Sequence, residues 1–186
     1  MRMTAQQYQQ LYRRGDTAQR RQNALNREQG QEFERMIGLS CDYYNATGAA
    51  EIEKTPEPMV PTKSLGQGKF MAHYEKKAQP DYGGTLAGGR AVHFEAKSTR
   101  TDRLYRNKVN EEQTRKLNSH TKLGAVTFVI VAFDLQYFYR VPWAVWRDMK
   151  QHFGRQYVKP EDLDAYRLHI TPDGMLMFLE GLEDVA

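Results

Sequence analysis

The chain has 186 residues, 40% hydrophobic and 27% charged, with a net charge of +4 and a pI of about 9.1. That is the size of one domain, with room for an appendage and enough chain to bury a core. A single cysteine, Cys41, excludes a disulfide framework and a Cys-rich zinc site. No apolar run reaches membrane-spanning length and residues 1–10 carry no apolar signal core, so the expected location is the cytoplasm, away from any membrane.

Residues 1–24 are rich in Gln and Arg and poor in apolar residues, and they read as a mobile or weakly helical basic arm. From Leu25 a helical pattern sets in, with Phe33, Met36, Ile37 and Tyr44 on one face and Gly48 as its end. Ala50 to Glu53 is a short strand candidate. Pro56, Pro58, Pro61, Gly66 and Gly68 then rule out a regular central element, and order resumes from Phe70 to Lys77. Residues 80–84 and 87–89 are predicted turns around a β-hairpin whose second strand runs from Arg90 to Ser98. Asn107 to Leu117 is a polar helix, capped by Gly124. Ala125 to Phe133 is a strand buried on both faces, and Tyr137 to Val141 is the next one. Pro142 opens a helix carrying Trp143 and Trp146, which are expected in the core or at a dimer contact. Leu168 to Ile170 and Met175 to Leu179 are read as a last hairpin across Pro172-Asp173-Gly174. The order gives an α/β fold, a mixed sheet flanked by helices.

Charge is unevenly spread. Lys54 to Lys122 holds 14 Lys and Arg against 7 Asp and Glu, whereas Gly124 to Ala186 holds 6 against 9. A basic middle third is the footprint of a protein that meets phosphates.

The informative residues are Pro80-Asp81 and, 14 positions beyond Asp81, Glu95-Ala96-Lys97. Cleavage of a phosphodiester needs a divalent cation to neutralise the phosphate and activate water. Mg²⁺ takes one or two carboxylates, water and phosphate oxygens. Asp81 and Glu95, on the two strands of one hairpin, can converge on such an ion, and the Ala96 carbonyl can add to its shell. Alternation in the second strand puts Lys97 on the Glu95 face, where an ammonium can orient water and stabilise transition-state charge. Among the histidines only His93 lies on this face. Gly66-Gln67-Gly68-Lys69 lacks the spacing and the Ser/Thr of a phosphate loop.

The stretch Asp81-Tyr82-Gly83-Gly84 … Gly89-Arg90 … Phe94-Glu95-Ala96-Lys97 resembles the signature of RecU-type Holliday-junction resolvases, of the PD-(D/E)xK nuclease superfamily. The likeness extends to Gly30 … Glu34, to Lys54-Thr55-Pro56-Glu57-Pro58, to Glu112-Gln113 and to Phe128 … Asp134. It departs at Pro80, where the family usually carries threonine, at His93, often acidic there, and at Glu112, often histidine. Those departures leave the metal ligands in place and fit a phage or prophage member.

The resemblance implies a restriction-endonuclease-like fold, a single nuclease domain over 25–186 and a protruding Pro-rich stalk at about 56–77. It implies that Asp81 and Glu95, with Ala96, hold Mg²⁺ or Mn²⁺ and that Lys97 serves the water and the transition state. Glu34 becomes a further carboxylate near the metal, and Gln113 supports the site. The implied activity is resolution of four-way DNA junctions in recombination and repair, by paired nicks from a homodimer. Arg90, Arg100, Arg103, Arg106 and Lys108, with Lys69, Lys76 and Lys77 in the stalk segment, are the candidate DNA contacts. Two other readings stand beside it: an exonuclease or restriction-like enzyme on the same scaffold, and a non-catalytic DNA-binding recombination factor.

Overall fold

The computed structural model describes residues 5–56, 58–74 and 79–182, with side chains except for 5–19 and 74. Lys76 and Lys77 lie outside the described residues. Helix α1 spans Ala5–Ala46. Residues 1–24 are the expected mobile or weakly helical arm; residues 1–4 of it lie outside the described residues, and α1 runs through the rest. Gln, Arg and Ala are good helix formers, so no apolar face is needed to write that first half. The helix stops before Gly48, which takes φ +70°.

Five strands form the central sheet: β1 (Ala50–Lys54), β4 (Tyr82–Leu86), β5 (Ala91–Thr99), β7 (Val126–Phe133) and β8 (Tyr137–Pro142), in the order β1-β4-β5-β7-β8. β5 and β7 are parallel and the other pairs antiparallel. The parallel pair needs a crossover. It is supplied by β6 (Leu104–Tyr105) and helix α2 (Glu111–Lys122). This is the mixed, helix-flanked sheet expected from the element order.

The Pro-rich segment is a regular hairpin of its own, β2 (Met59–Gly66) and β3 (Lys69–Tyr74), paired apart from the central sheet. Pro61, which cannot donate to a ladder, sits at a register shift. Gly66, Gln67 and Gly68 all take positive φ and make its turn. Short helices α3 (Trp143–Arg147) and α4 (Met149–Phe153) follow β8, and β9 (Tyr157–Val158) pairs with β6.

Two expectations fail locally. Gly83 and Gly84 belong to β4 rather than to a turn. The reason is a close approach: a Cβ on Gly84 would lie 2.0 Å from the Glu51 carbonyl oxygen of β1. The last hairpin reduces to a single bridge, Ile170 with Leu176. Its backbone is held by α1 instead: the Leu176 amide donates to Ser40 Oγ (2.8 Å) and the Leu179 amide to the Tyr44 hydroxyl (3.1 Å).

The sheet separates two cores. Phe33, Ile37 and Tyr44 of α1 pack on Val92, Phe94, Phe128 and Ile130, and Leu117, Trp143 and Trp146 pack on Val129, Val131 and Val141. Both tryptophans are thus core residues. Among the described residues no helix is long and apolar enough to cross a membrane. Cys41 is buried in the α1 core, and burial, with Asp42 adding, pushes its thiol up to about 12. At pH 8 an aromatic disulfide reagent should therefore label it at least about a hundredfold more slowly in the native protein than in urea. Equal rates would show that the packing around α1 is looser than described.

Candidate active site

β5 alternates as expected. Val92 and Phe94 enter the α1 core, and His93, Glu95 and Lys97 face α2. Asp81 directly precedes β4, fixed by its carbonyl, which accepts from the Thr55 amide (2.9 Å). The β4–β5 ladder ends at the Tyr82–Phe94 pair. Beyond it the Ala96 amide donates to Asp81 Oδ2 instead (3.2 Å).

Lys97 Nζ lies between the two acids, 2.8 Å from Asp81 Oδ2 and 2.7 Å from Glu95 Oε2. The Glu95 side chain is wholly buried, while those of Asp81 and Lys97 keep a sliver of solvent (16% and 17%) through which a substrate can reach them. Glu95 Oε2 also accepts from Gln113 Nε2 at 2.6 Å, but Glu95 Oε1 is buried with no hydrogen-bond partner among the described residues. Burial raises the Glu95 pKa, Asp81 adds to the rise, and Lys97 opposes it. Burial pulls Lys97 down, yet the two carboxylates together hold its pKa above the ordinary value, so it is an ammonium.

Gln113 is placed by a capping box. The Asn110 side chain accepts from the Gln113 amide (2.9 Å), and Gln113 Oε1 accepts from the Asn110 amide (3.2 Å). With its oxygen engaged there, the carboxamide has only its NH₂ to present to Glu95. Asn110 was missed in the sequence, although Asn-x-x-Gln ahead of a helix is a legible signal.

Glu34 stands outside the cluster. Its carboxylate pairs with Lys54 Nζ (2.6 Å), both about half exposed. Lys54 pairs across the sheet with Tyr82, next to Asp81. His93 stacks on His120 of α2, with ring centroids 3.7 Å apart, and burial lowers both pKa values.

The expected DNA contacts divide. Arg100, Arg103 and Lys108 line a cleft beginning at Ser98, one residue past Lys97. Arg106 is occupied inside the protein, donating to the Val109 carbonyl (3.0 Å) and Thr114 Oγ1 (3.1 Å). Arg90 lies about 20 Å back along β5 from Lys97. There its Nε donates to the Gly124 carbonyl (2.9 Å). Lys69 is exposed on β3.

The donor set fits a hard divalent cation: two carboxylates meet at one cationic point, and one buried oxygen is without a partner. Among the described residues no group of three or more His, Cys, Asp or Glu side chains converges, so this site offers a cation two acids.

A mixed sheet whose hairpin brings an aspartate to a Glu-Ala-Lys strand defines the class, the PD-(D/E)xK proteins. The model of the family described as "Recombination protein U" matches residues 28–184, and the chain belongs to that RecU family. A Holliday junction resolvase RecU of Streptococcus pneumoniae is 28% identical over 131 residues, 64% of this chain and 66% of that protein. That of Staphylococcus saprophyticus is 31% identical over 123 residues, 62% of this chain and 58% of its own length. The matches thus span less than two thirds of the relatives' length. A solved Holliday junction resolvase of Archaeoglobus fulgidus aligns with 73% of this chain and 93% of its own at 13% identity, with a TM-score of 0.43, too distant a likeness to carry an argument.

Proposed function

We propose that the chain is a divalent-metal-dependent endonuclease that resolves four-way DNA junctions by paired nicks. One observation carries the reading: Asp81 and Glu95 converge on Lys97 Nζ, with Glu95 Oε1 buried and without a partner among the described residues. Mg²⁺ or Mn²⁺ bound there supplies charge neutralisation at the phosphate and a more acidic water. Asp81 and Glu95 hold it, with the Ala96 carbonyl as the expected further donor. Gln113 fixes the Glu95 carboxylate in its rotamer. Lys97 keeps a protonated amine at the reacting centre, where it orients the attacking water and stabilises charge on the phosphorane. Glu34, tied to Lys54, is the outer carboxylate.

The curated relatives are named as Holliday junction resolvases, which supports the junction as substrate. So does the β2–β3 hairpin, which is paired apart from the central sheet, presents Met59, Leu65, Phe70 and Met71 more than half exposed, and is the segment we assign to the junction centre. Two strands of opposite polarity call for two sites related by a two-fold axis, hence a homodimer working in the cytoplasm.

The test is a labelled synthetic four-way junction and the matching linear duplex, each incubated with Mg²⁺ or Mn²⁺. Symmetrical nicks in the junction at least about a hundredfold faster than in duplex are expected. Equal cutting of both, or digestion from ends, would contradict the reading.

A further inference from the structure

Beyond Lys97, β5 runs into a cleft of 520 Å³ whose inner wall is Ser98 and Thr99. Arg100, Arg103 and Lys108 line it, and among the described residues no Asp or Glu does. Asp134 and Asp102 form exposed ion pairs with Arg100 and Arg103, 3.9 and 3.6 Å from their Nε atoms, too long for hydrogen bonds and open to replacement by phosphates. The far wall is α1, where Gln22 and Asn26 sit four residues apart on one face, Gln22 Nε2 donating to Asn26 Oδ1 (3.0 Å).

Tyr105 is the cleft's aromatic residue, with 45% of its surface exposed. An exposed tyrosine alone means little, but this ring is anchored. Its backbone pairs with Tyr157 in the β6–β9 ladder, and the two rings lie 5.5 Å apart. Arg103, two residues before it, lies 5.0 Å over the Tyr157 ring. The cleft thus combines a fixed aromatic face, three cations and opposing carboxamides. Cations that track phosphates, beside an aromatic that takes a base, are how proteins hold an unpaired nucleotide. Carboxamides suit the base edges.

We infer that Tyr105 is a stacking platform for one unpaired nucleotide of the strand leaving the Asp81–Glu95–Lys97 site, with the flanking phosphates against Arg100, Arg103 and Lys108. The inference rests on the proposed junction-cleaving function and adds a specificity determinant to it. A base at an exchange point unstacks cheaply, whereas one inside a linear duplex does not. The platform therefore favours branched DNA.

The experiment measures junction affinity in EDTA, where nothing is cut, by fluorescence anisotropy. Tyr105→Ala should weaken binding about tenfold and Tyr105→Phe less than about twofold. A set of junctions, each lacking one base within three nucleotides of the exchange point, completes a double-mutant cycle. At one position the missing base should weaken the wild-type protein about tenfold, and Tyr105→Ala should then cost nothing further. Wild-type affinity indifferent to every missing base would overturn the platform without reference to any variant. So would a Tyr105→Ala loss of equal size at every position. If the wild-type protein binds no junction, the proposed function falls and takes the platform with it; if it binds and nicks but the base scan is flat, only the platform falls.

Discussion

Replacing Lys97 with alanine is expected to slow junction nicking by about a hundredfold to a thousandfold, the usual cost of removing a group aimed at transition-state charge. The fold should survive, because Lys97 is outside both hydrophobic cores. The variant should nonetheless lose about 2 kcal/mol in the absence of divalent cations. In the wild-type protein the Lys97 ammonium is within 2.8 Å of both carboxylates, and removing it leaves a buried acid without a counter-charge. Glu95 relieves part of that cost by taking up a proton, in line with its raised pKa. Mn²⁺ should therefore raise the melting temperature of Lys97→Ala more than that of the wild-type protein. Unchanged nicking would remove Lys97 from the chemistry.

Gly84→Ala is expected to be among the most damaging single-methyl additions in the chain, at about 3 kcal/mol or more. The new Cβ would meet the Glu51 carbonyl oxygen at 2.0 Å and the Ile52 Cα at 2.7 Å, both backbone atoms that cannot rotate aside. The neighbouring Gly83→Ala is the control. Its Cβ would meet only the His93 ring, at 2.7 Å from Nδ1, and a side chain can turn away. Urea denaturation should separate the two by at least about 2 kcal/mol. Similar losses would mean that β1 and β4 are not so closely apposed. Because Asp81 is held between β1 and β4, Gly84→Ala should also cost nicking activity.

How much of this was legible in the sequence follows from the range of the forces involved. The Glu95–Lys97 face was readable because strand alternation is local, and Val92 and Phe94 are buried on the opposite face as the period requires. The helix ending before Gly48 and the buried run of β7 were readable for the same reason. Gly83 and Gly84 were not. A Gly-Gly pair reads as a turn, and only the approach of β1, some thirty residues earlier, makes it strand. The prolines of residues 56–61 likewise concealed a hairpin, since register shifts absorb Pro61 without ending the pairing. Residues 168–179 have hairpin spacing, but Ser40 and Tyr44 of α1 take their amides, a contact no local pattern records. In the site, the place of Gln113 came with the family likeness; what orients its amide is the Asn110 cap. Arg106 shows the converse, a cation in a basic stretch whose donors are committed internally.

The most direct measurement is Mn²⁺ binding, followed by electron paramagnetic resonance, to the wild-type protein, Asp81→Asn and Glu95→Gln without DNA. Saturable binding weakened at least about tenfold by either substitution, with both variants folded, is the expected result. Binding that is the same in all three proteins would mean that these carboxylates do not hold the ion, and the account of the site would be wrong at its centre.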